Sequence, residues 1–510
     1  MGVRRGPTYV GAMTPLPISR RSLLLGGLGL AGLGGLAACS GPGTGIVVPE
    51  RSIPSAPSVT PAPGQNVVTA TLTPKQTTID LAGQTLQTWA YGDEVPGKVL
   101  RANAGDFLRV FVDNQLPADT TVHWHGIRLR NAADGVPGVT QNPIAPGAKY
   151  VYEFTAPDPG TYFFHPHVGV QLDRGLYAPL IIDDPDEPGA YDLEWVIVLD
   201  DWLDGTGTNP DEVLKRLMAD NGQPNSGGMG GMGGMGHGGM GGMGGGTAPW
   251  GDAGDIVYPY FLVNGRPPAD PSVFTGKPGQ RVRMRIINAA SDTIFTVALG
   301  GHRMTITHTD GHAVQPTDAS AFYIGMGERY DAIVTLADGA FPLVAQPFGK
   351  SGQAMAVVRT GSGSAPSPGT RPAELTGQIL VGSDLRPAES ALLPARNPDS
   401  TVDLVLNGQM QPFQWGMNGA PYGQNTPLTA EAGKRLRINL MNMTMMTHPI
   451  HLHGPAFALA NTGLRKDTLL VPPMGSVALD VDPDAGDWMV HCHNIYHAEA
   501  GMMIVLSVSG

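Results

Sequence analysis

Apolar and polar positions alternate along this chain in short runs. Val99–Val112, Lys149–Phe154 and Val282–Asn288 are rich in β-branched and aromatic residues, and glycine- or proline-bearing turns separate such runs. Alternation over so few positions suits strands, whose side chains point to opposite faces with period two. A long amphipathic helix would need its roughly 3.6-residue repeat held over about ten or more positions. With 71 glycines and 46 prolines, the pattern predicts an all-β protein. One short helix is expected over Asp211–Asp220, with Asn209 as its cap and Pro210 in the first turn.

A chain of 510 residues is too long for one hydrophobic core, so two to four domains are expected. The formal net charge of -12 argues against a nucleic-acid surface. There are two cysteines, Cys39 and Cys492, and each has a separate use below, so no disulfide is expected.

The N-terminus predicts export. Ser19-Arg20-Arg21-Ser22-Leu23-Leu24 is a twin-arginine pattern, and a weakly apolar, glycine-rich stretch follows to Ala37. That stretch is short for a spanning helix, which needs roughly 20 residues. Leu36-Ala37-Ala38-Cys39 matches a bacterial lipobox, so residues 1–38 read as a signal peptide and Cys39 as the site of a lipid anchor. Arg4, Arg5, Arg20 and Arg21 leave with the leader, and the mature chain is more acidic still. Residues 39–65 are rich in Pro, Ser and Gly and read as a flexible tether. The expected location is the bacterial cell envelope, lipid-anchored at the membrane surface or periplasmic.

Ten of the 14 histidines fall into four clusters: His123-Trp-His125-Gly, His165-Pro-His167, His448-Pro-Ile-His451-Leu-His453-Gly, and His491-Cys492-His493 with His497. Four His-x-His pairs occur where chance gives about 0.4. Each pair places two imidazoles on one face of a strand, and eight imidazoles exceed the needs of one metal. Cys492 lies on the face opposite His491 and His493. By the same parity His448 faces away from His451 and His453. His448, Cys492 and His497 can therefore form a His₂Cys site, with Met502 as a long axial thioether, a donor set that suits copper best.

These four motifs, in this order and two near each end, resemble the copper signatures of the multicopper oxidases, over residues 70–508. The resemblance implies three cupredoxin-like Greek-key β-sandwich domains, at 66–188, 189–362 and 395–510, with a linker at 363–394. It implies four coppers. The type 1 ion takes His448, Cys492, His497 and Met502. The type 2 ion takes His123 and His451. The type 3 pair takes His125, His165, His167, His453, His491 and His493. It also implies one-electron oxidation of a reducing substrate coupled to reduction of O2 to water, with the middle domain as a spacer. His302, His308 and His312 of that domain are expected to be structural.

Making water from dioxygen consumes protons, so a buried cluster needs a donor. Asp134, in Asp134-Gly135, resembles the acid that the family places near type 2 copper. Some bacterial members carry a glutamate directly after the last type 1 histidine; here Ala498 stands there and Glu499 follows.

The substrate is read from methionine. Residues 226–246 carry Met229, Met232, Met235, His237, Met240 and Met243 on a glycine backbone. Thioethers are soft ligands that suit Cu(I), so the segment is expected to capture it. Met441, Met443, Met445 and Met446 precede His448. Bacterial cuprous oxidases place a methionine two residues and an aspartate four residues before this histidine; Met446 matches the first and Thr444 replaces the second. The expected donor is Cu(I), in copper detoxification, with phenols also accepted. Two alternatives stand beside it: a laccase whose own substrate is phenolic, and a non-catalytic copper-sequestering lipoprotein.

Overall fold

The computed structural model describes residues 53, 57–187, 190–219 and 250–510. The expected signal peptide, Cys39 and the methionine-rich segment 226–246 lie outside the described residues. No helix among the described residues is long and apolar enough to cross a membrane.

Strands dominate, and they build three cupredoxin-like sandwiches. In each, the entering strand pairs in parallel with a later one: Val67–Leu72 with Phe107–Asp113, Leu193–Trp202 with Arg281–Asn288, and Ser400–Gln409 with Leu436–Asn442. A parallel pairing cannot be closed by a tight hairpin, so one crossover topology recurs three times. The first sandwich packs a three-stranded sheet on a four-stranded one. Trp124 meets Tyr152, Phe154 and Phe164 between them, with ring centroids 5.0–5.6 Å apart. The second sandwich pairs two six-stranded sheets, and the third a six-stranded with a five-stranded sheet. One continuous apolar core runs through these last two.

The strand Pro74–Leu81 alternates half-buried and exposed positions from Lys75 to Asp80, as period-two patterning requires. Arg281–Asn288 is buried along almost its whole length, because the strand Gly160–His165 of the first sandwich covers its outer face. Arg283 and Arg285 are buried there on Asp331 and Glu194.

The expected helix forms as Pro210–Ala219. Asn209 accepts from Glu212 N–H at 3.0 Å through its side chain and from Val213 N–H at 3.1 Å through its carbonyl. Two connecting segments are tied down. Ser58 and Val59 bond the Glu153 carboxylate, so the described end of the expected tether is fastened to the first sandwich. Within the expected linker, Ile379–Leu380 pairs in parallel with Ala321–Phe322 and extends the second sandwich.

Candidate metal centres

The strand Gly486–Cys492 runs antiparallel to His448–Leu452, with Ile450 opposite Cys492 and His451 opposite His491. This register puts His448 and Cys492 on one face and His451 and His491 on the other. In the first sandwich His123 stands opposite His165 on neighbouring strands. Strand parity thus sorts the imidazoles into two buried centres.

On the thiolate face, Cys492 Sγ lies 3.6 Å from His448 Nδ1 and 3.7 Å from His497 Nδ1, and the two Nδ1 atoms are 3.1 Å apart. All three side chains are buried. Met502 is buried, and its carbonyl accepts the Cys492 N–H at 3.0 Å. The outer nitrogens are held. His448 Nε2 donates to the Thr444 hydroxyl at 2.8 Å, so Thr444 supports the imidazole from the place of the missing aspartate. His497 Nε2 donates to Asp255 at 2.7 Å. Burial pushes the His497 imidazole down, but the Asp255 carboxylate and the Cys492 sulfur outweigh it and lift His497 to about 10.

On the other face, eight imidazoles from the first and third sandwiches share one pocket. Three close triads form: His125, His165 and His493; His167, His453 and His491; and His123, His125 and His451. The rings of His123 and His453 stack at 3.7 Å, as do those of His125 and His451. Burial, and then repulsion between neighbouring imidazoles, drives His125, His165, His453, His491 and His493 well below the usual histidine range. His167 falls to about 3 for the same reasons.

Each imidazole has two nitrogens, and in six of the eight rings the outward one is occupied. His123 Nδ1 donates to the Asp134 carbonyl, His165 Nδ1 to the Pro166 carbonyl, His451 Nδ1 to the Asp467 carbonyl and His491 Nδ1 to the Cys492 carbonyl, all at 2.8–2.9 Å. His453 Nδ1 donates to Asp134 Oδ2 at 2.8 Å, and His125 Nε2 to Asp467 Oδ1 at 3.1 Å. The opposite nitrogens of His123, His125, His165 and His451 are buried and unpartnered, as are Nε2 of His167 and both nitrogens of His493. A buried polar atom without a partner is costly. Neutral imidazoles fixed by outer hydrogen bonds, with lone pairs turned inward, fit copper ions.

Asp134 is buried and touches two of these imidazoles, His123 and His453. His302 has both ring nitrogens bonded to backbone, at Gly300 and Ala337, which fits a structural residue. Met446 is buried, whereas Met443 and Met445 are 57% and 73% exposed. Met474 is 58% exposed at φ 54°, and its N–H bonds the Thr444 carbonyl.

Asp255, Thr444 as a hydrogen-bond partner, Asp467 and Arg329 were not marked by sequence reasoning. The one trace of them is the glycine in His-Trp-His-Gly. A Cβ on Gly126, at φ +84°, would lie 2.4 Å from Arg329 Nη2 and 2.5 Å from Asp467 Oδ2.

Three family models described as multicopper oxidase match residues 73–187, 194–364 and 395–510. The chain is 46% identical to the multicopper oxidase MmcO of Mycobacterium tuberculosis, over 95% of each chain. It is 30% identical to copper resistance protein A of Escherichia coli, over 84% of this chain and 91% of that one. Among solved structures, a multi-copper oxidase from Pseudomonas thermotolerans is similar, with a TM-score of 0.67 and 27% identity over 88% of this chain and all of the other.

Proposed function

The chain belongs to the multicopper oxidase family, and on that premise we propose that it oxidises cuprous ion at the bacterial cell envelope, with phenols as secondary donors. Members are copper oxidoreductases that use dioxygen as acceptor. Copper supplies a one-electron acceptor at the thiolate site and the four-electron reduction of dioxygen at the three-ion site.

In this reading His448, Cys492, His497 and Met502 hold the type 1 ion. His123 and His451 hold the type 2 ion. The triad His125, His165 and His493 and the triad His167, His453 and His491 hold the two type 3 ions. Cys492 is covalently continuous with His491 and His493, so the path between the centres is a few bonds long. Asp134 orients His123 and His453 and is the proposed proton source for dioxygen reduction. The whole set of orienting hydrogen bonds argues against simple sequestration, which has no need of the Cys-His relay. Export and anchoring through Cys39 rest on the leader sequence, and the methionine-rich segment is an auxiliary Cu(I) trap.

The observation that carries the cuprous reading is the methionine face beside the type 1 ligands. Met443 and Met445 flank Thr444, whose hydroxyl holds ligand His448, and exposed Met474 is bonded to the same threonine. Three exposed thioethers, one of them held at positive φ, are poorly explained by packing and well suited to Cu(I). The test is dioxygen uptake with Cu(I), a ferrous salt and a phenol, on the parent and on a Met443→Leu/Met445→Leu/Met474→Leu variant. The kcat/KM for Cu(I) is expected to fall about tenfold, a loss of ~1.4 kcal/mol, with the phenol unchanged. An equal fall for both donors would overturn the cuprous reading.

A further inference from the structure

The middle sandwich approaches the three-ion pocket at the segment Gly325–Arg329. Gly327 adopts φ +82°, and a Cβ there would lie 2.9 Å from the His493 ring and 3.0 Å from the His125 ring. Two residues on, Arg329 is fully buried. Its Nη1 and Nη2 donate to Asp467 Oδ1 and Oδ2 at 2.7 and 2.5 Å. Its Nε donates to the Thr161 carbonyl at 3.1 Å, and Nη1 also to the Gly327 carbonyl at 2.9 Å. One guanidinium thus ties together all three sandwiches: Thr161 of the first, Gly327 of the second, Asp467 of the third.

Asp467 spends its remaining acceptors on two histidines. Its Oδ1 accepts His125 Nε2–H, and its carbonyl accepts His451 Nδ1–H. The Thr468 hydroxyl donates to the same Oδ1 at 2.9 Å. The two imidazoles come from different sandwiches and stack at 3.7 Å with 12° between their planes. Their other nitrogens, His125 Nδ1 and His451 Nε2, are the unpartnered ones facing the pocket. Burying a carboxylate and a guanidinium is expensive unless they are hydrogen-bonded, and here every side-chain nitrogen and oxygen of the pair has a partner. Asp310 and Lys466 surround the pair: Asp310 accepts the Arg329 backbone N–H at 2.9 Å, and Lys466 Nζ lies 3.0 Å from Asp310.

We propose that Arg329 and Asp467 are positioning residues for the three-ion centre. Asp467 fixes which nitrogen of His125 and of His451 faces the metal, and Arg329 fixes Asp467. The middle sandwich is then a working part of the centre, where the resemblance implied a spacer, and Gly126 is glycine because the pair occupies the place of its side chain. The inference rests on the assignment of His125 to the type 3 pair and His451 to type 2.

Asp467→Asn, Arg329→Lys and the double variant Arg329→Gln/Asp467→Asn are loaded with copper beside the parent. Total copper, the electron paramagnetic resonance of the type 2 ion, the near-ultraviolet band of the type 3 pair, the blue band and the melting temperature are recorded. Four coppers and all three signatures in the parent test the ligand assignment separately; their absence there would overturn the assignment itself. Asp467→Asn takes the carboxylate from His125 and leaves the main-chain bond to His451. It is therefore expected to weaken copper at the type 3 pair about 10–100-fold and alter its near-ultraviolet band, as loss of an outer hydrogen bond does, with the blue band kept and the type 2 resonance moved less. Arg329→Lys keeps the charge but not the fork and is expected to move the same signals less. The double variant leaves no buried charge without its partner, so it is expected to melt closer to the parent than Asp467→Asn yet still lack the parent type 3 band. The inference is overturned if Asp467→Asn keeps the parent type 2 and type 3 signatures. It is also overturned if the blue band falls in proportion with them, or if the double variant restores them.

Discussion

The two centres share the strand Gly486–Cys492 and are assembled in opposite ways. The thiolate site draws His448, Cys492 and His497, with Met502 as the proposed axial ligand, from two segments of the third sandwich, and one neighbour, Asp255, reaches it from the second. The imidazole pocket draws its ligands from four short segments on the first and third sandwiches, and the middle sandwich pins them through Arg329. One centre is the property of a domain, the other of an interface. Their electrostatics differ accordingly. The thiolate site pairs an imidazole with a carboxylate and a sulfur, which lifts His497. In the pocket, burial and then the crowding of imidazoles lower His125, His165, His167, His453, His491 and His493, as burial lowers His448 at the thiolate site. His497 holds a proton until a metal displaces it, whereas the lowered imidazoles of the pocket are already deprotonated.

Removing the thiolate separates the centres most sharply. Cys492→Ser is expected to abolish the blue colour and turnover, while the pocket keeps most of its copper. A variant that stayed blue would break the comparison at its root.

Acid should act on the pocket. The unfolded chain binds protons on these histidines near pH 6.5, whereas the folded, metal-free pocket resists them, His167 down to about 3. Their stability contribution is full above about pH 6.5 and is lost as the pH falls toward the folded values. His497 has the opposite sign: raised to about 10, its pairing contributes fully below about pH 6.5 and is lost as the pH climbs through 10. The metal-free protein should therefore lose melting temperature on both sides of neutrality. Copper should raise the melting temperature throughout yet leave the acid limb at least as steep, because bound metal excludes from the folded pocket the protons that the unfolded chain takes up. A melting temperature unchanged between about pH 8 and pH 5 without metal would contradict this.

Asp134→Asn changes the pocket alone, through His123 and His453. Reoxidation of the reduced enzyme by dioxygen is expected to slow about 10–100-fold, with stopped-flow reduction of the blue site unchanged. Equal slowing of both steps would reduce Asp134 to a turn residue.

The smallest effect belongs to the thiolate site. Met502→Leu removes a weak donor to the oxidised ion and is expected to raise the type 1 potential, seen in a redox titration of the blue band. The type 2 resonance should not change. An unshifted potential would mean that Met502 is not axial.

The outward hydrogen bonds mark the limit of what the linear sequence displays. Asn209 and Pro210 announce the helix Pro210–Ala219 because a cap is a contact between neighbours in the chain. Met474 escaped attention because it is distant in sequence from the methionines before His448, and only the turn that bonds it to Thr444 joins the groups. Asp255 sits 242 residues from the His497 it holds, and Asp467 sits 342 residues from His125.

The sequence by itself determined the strands, the sorting of ligands into a thiolate set and an imidazole set, and the metal they suit. All three follow from period-two geometry and side-chain chemistry, which act over a few residues. Tertiary structure decided which carboxylate holds which imidazole, which ring nitrogen faces the metal, and that the middle sandwich takes part through Arg329. Those choices depend on desolvated charges meeting across domain faces, and a buried ion pair leaves no periodic trace in the chain that makes it.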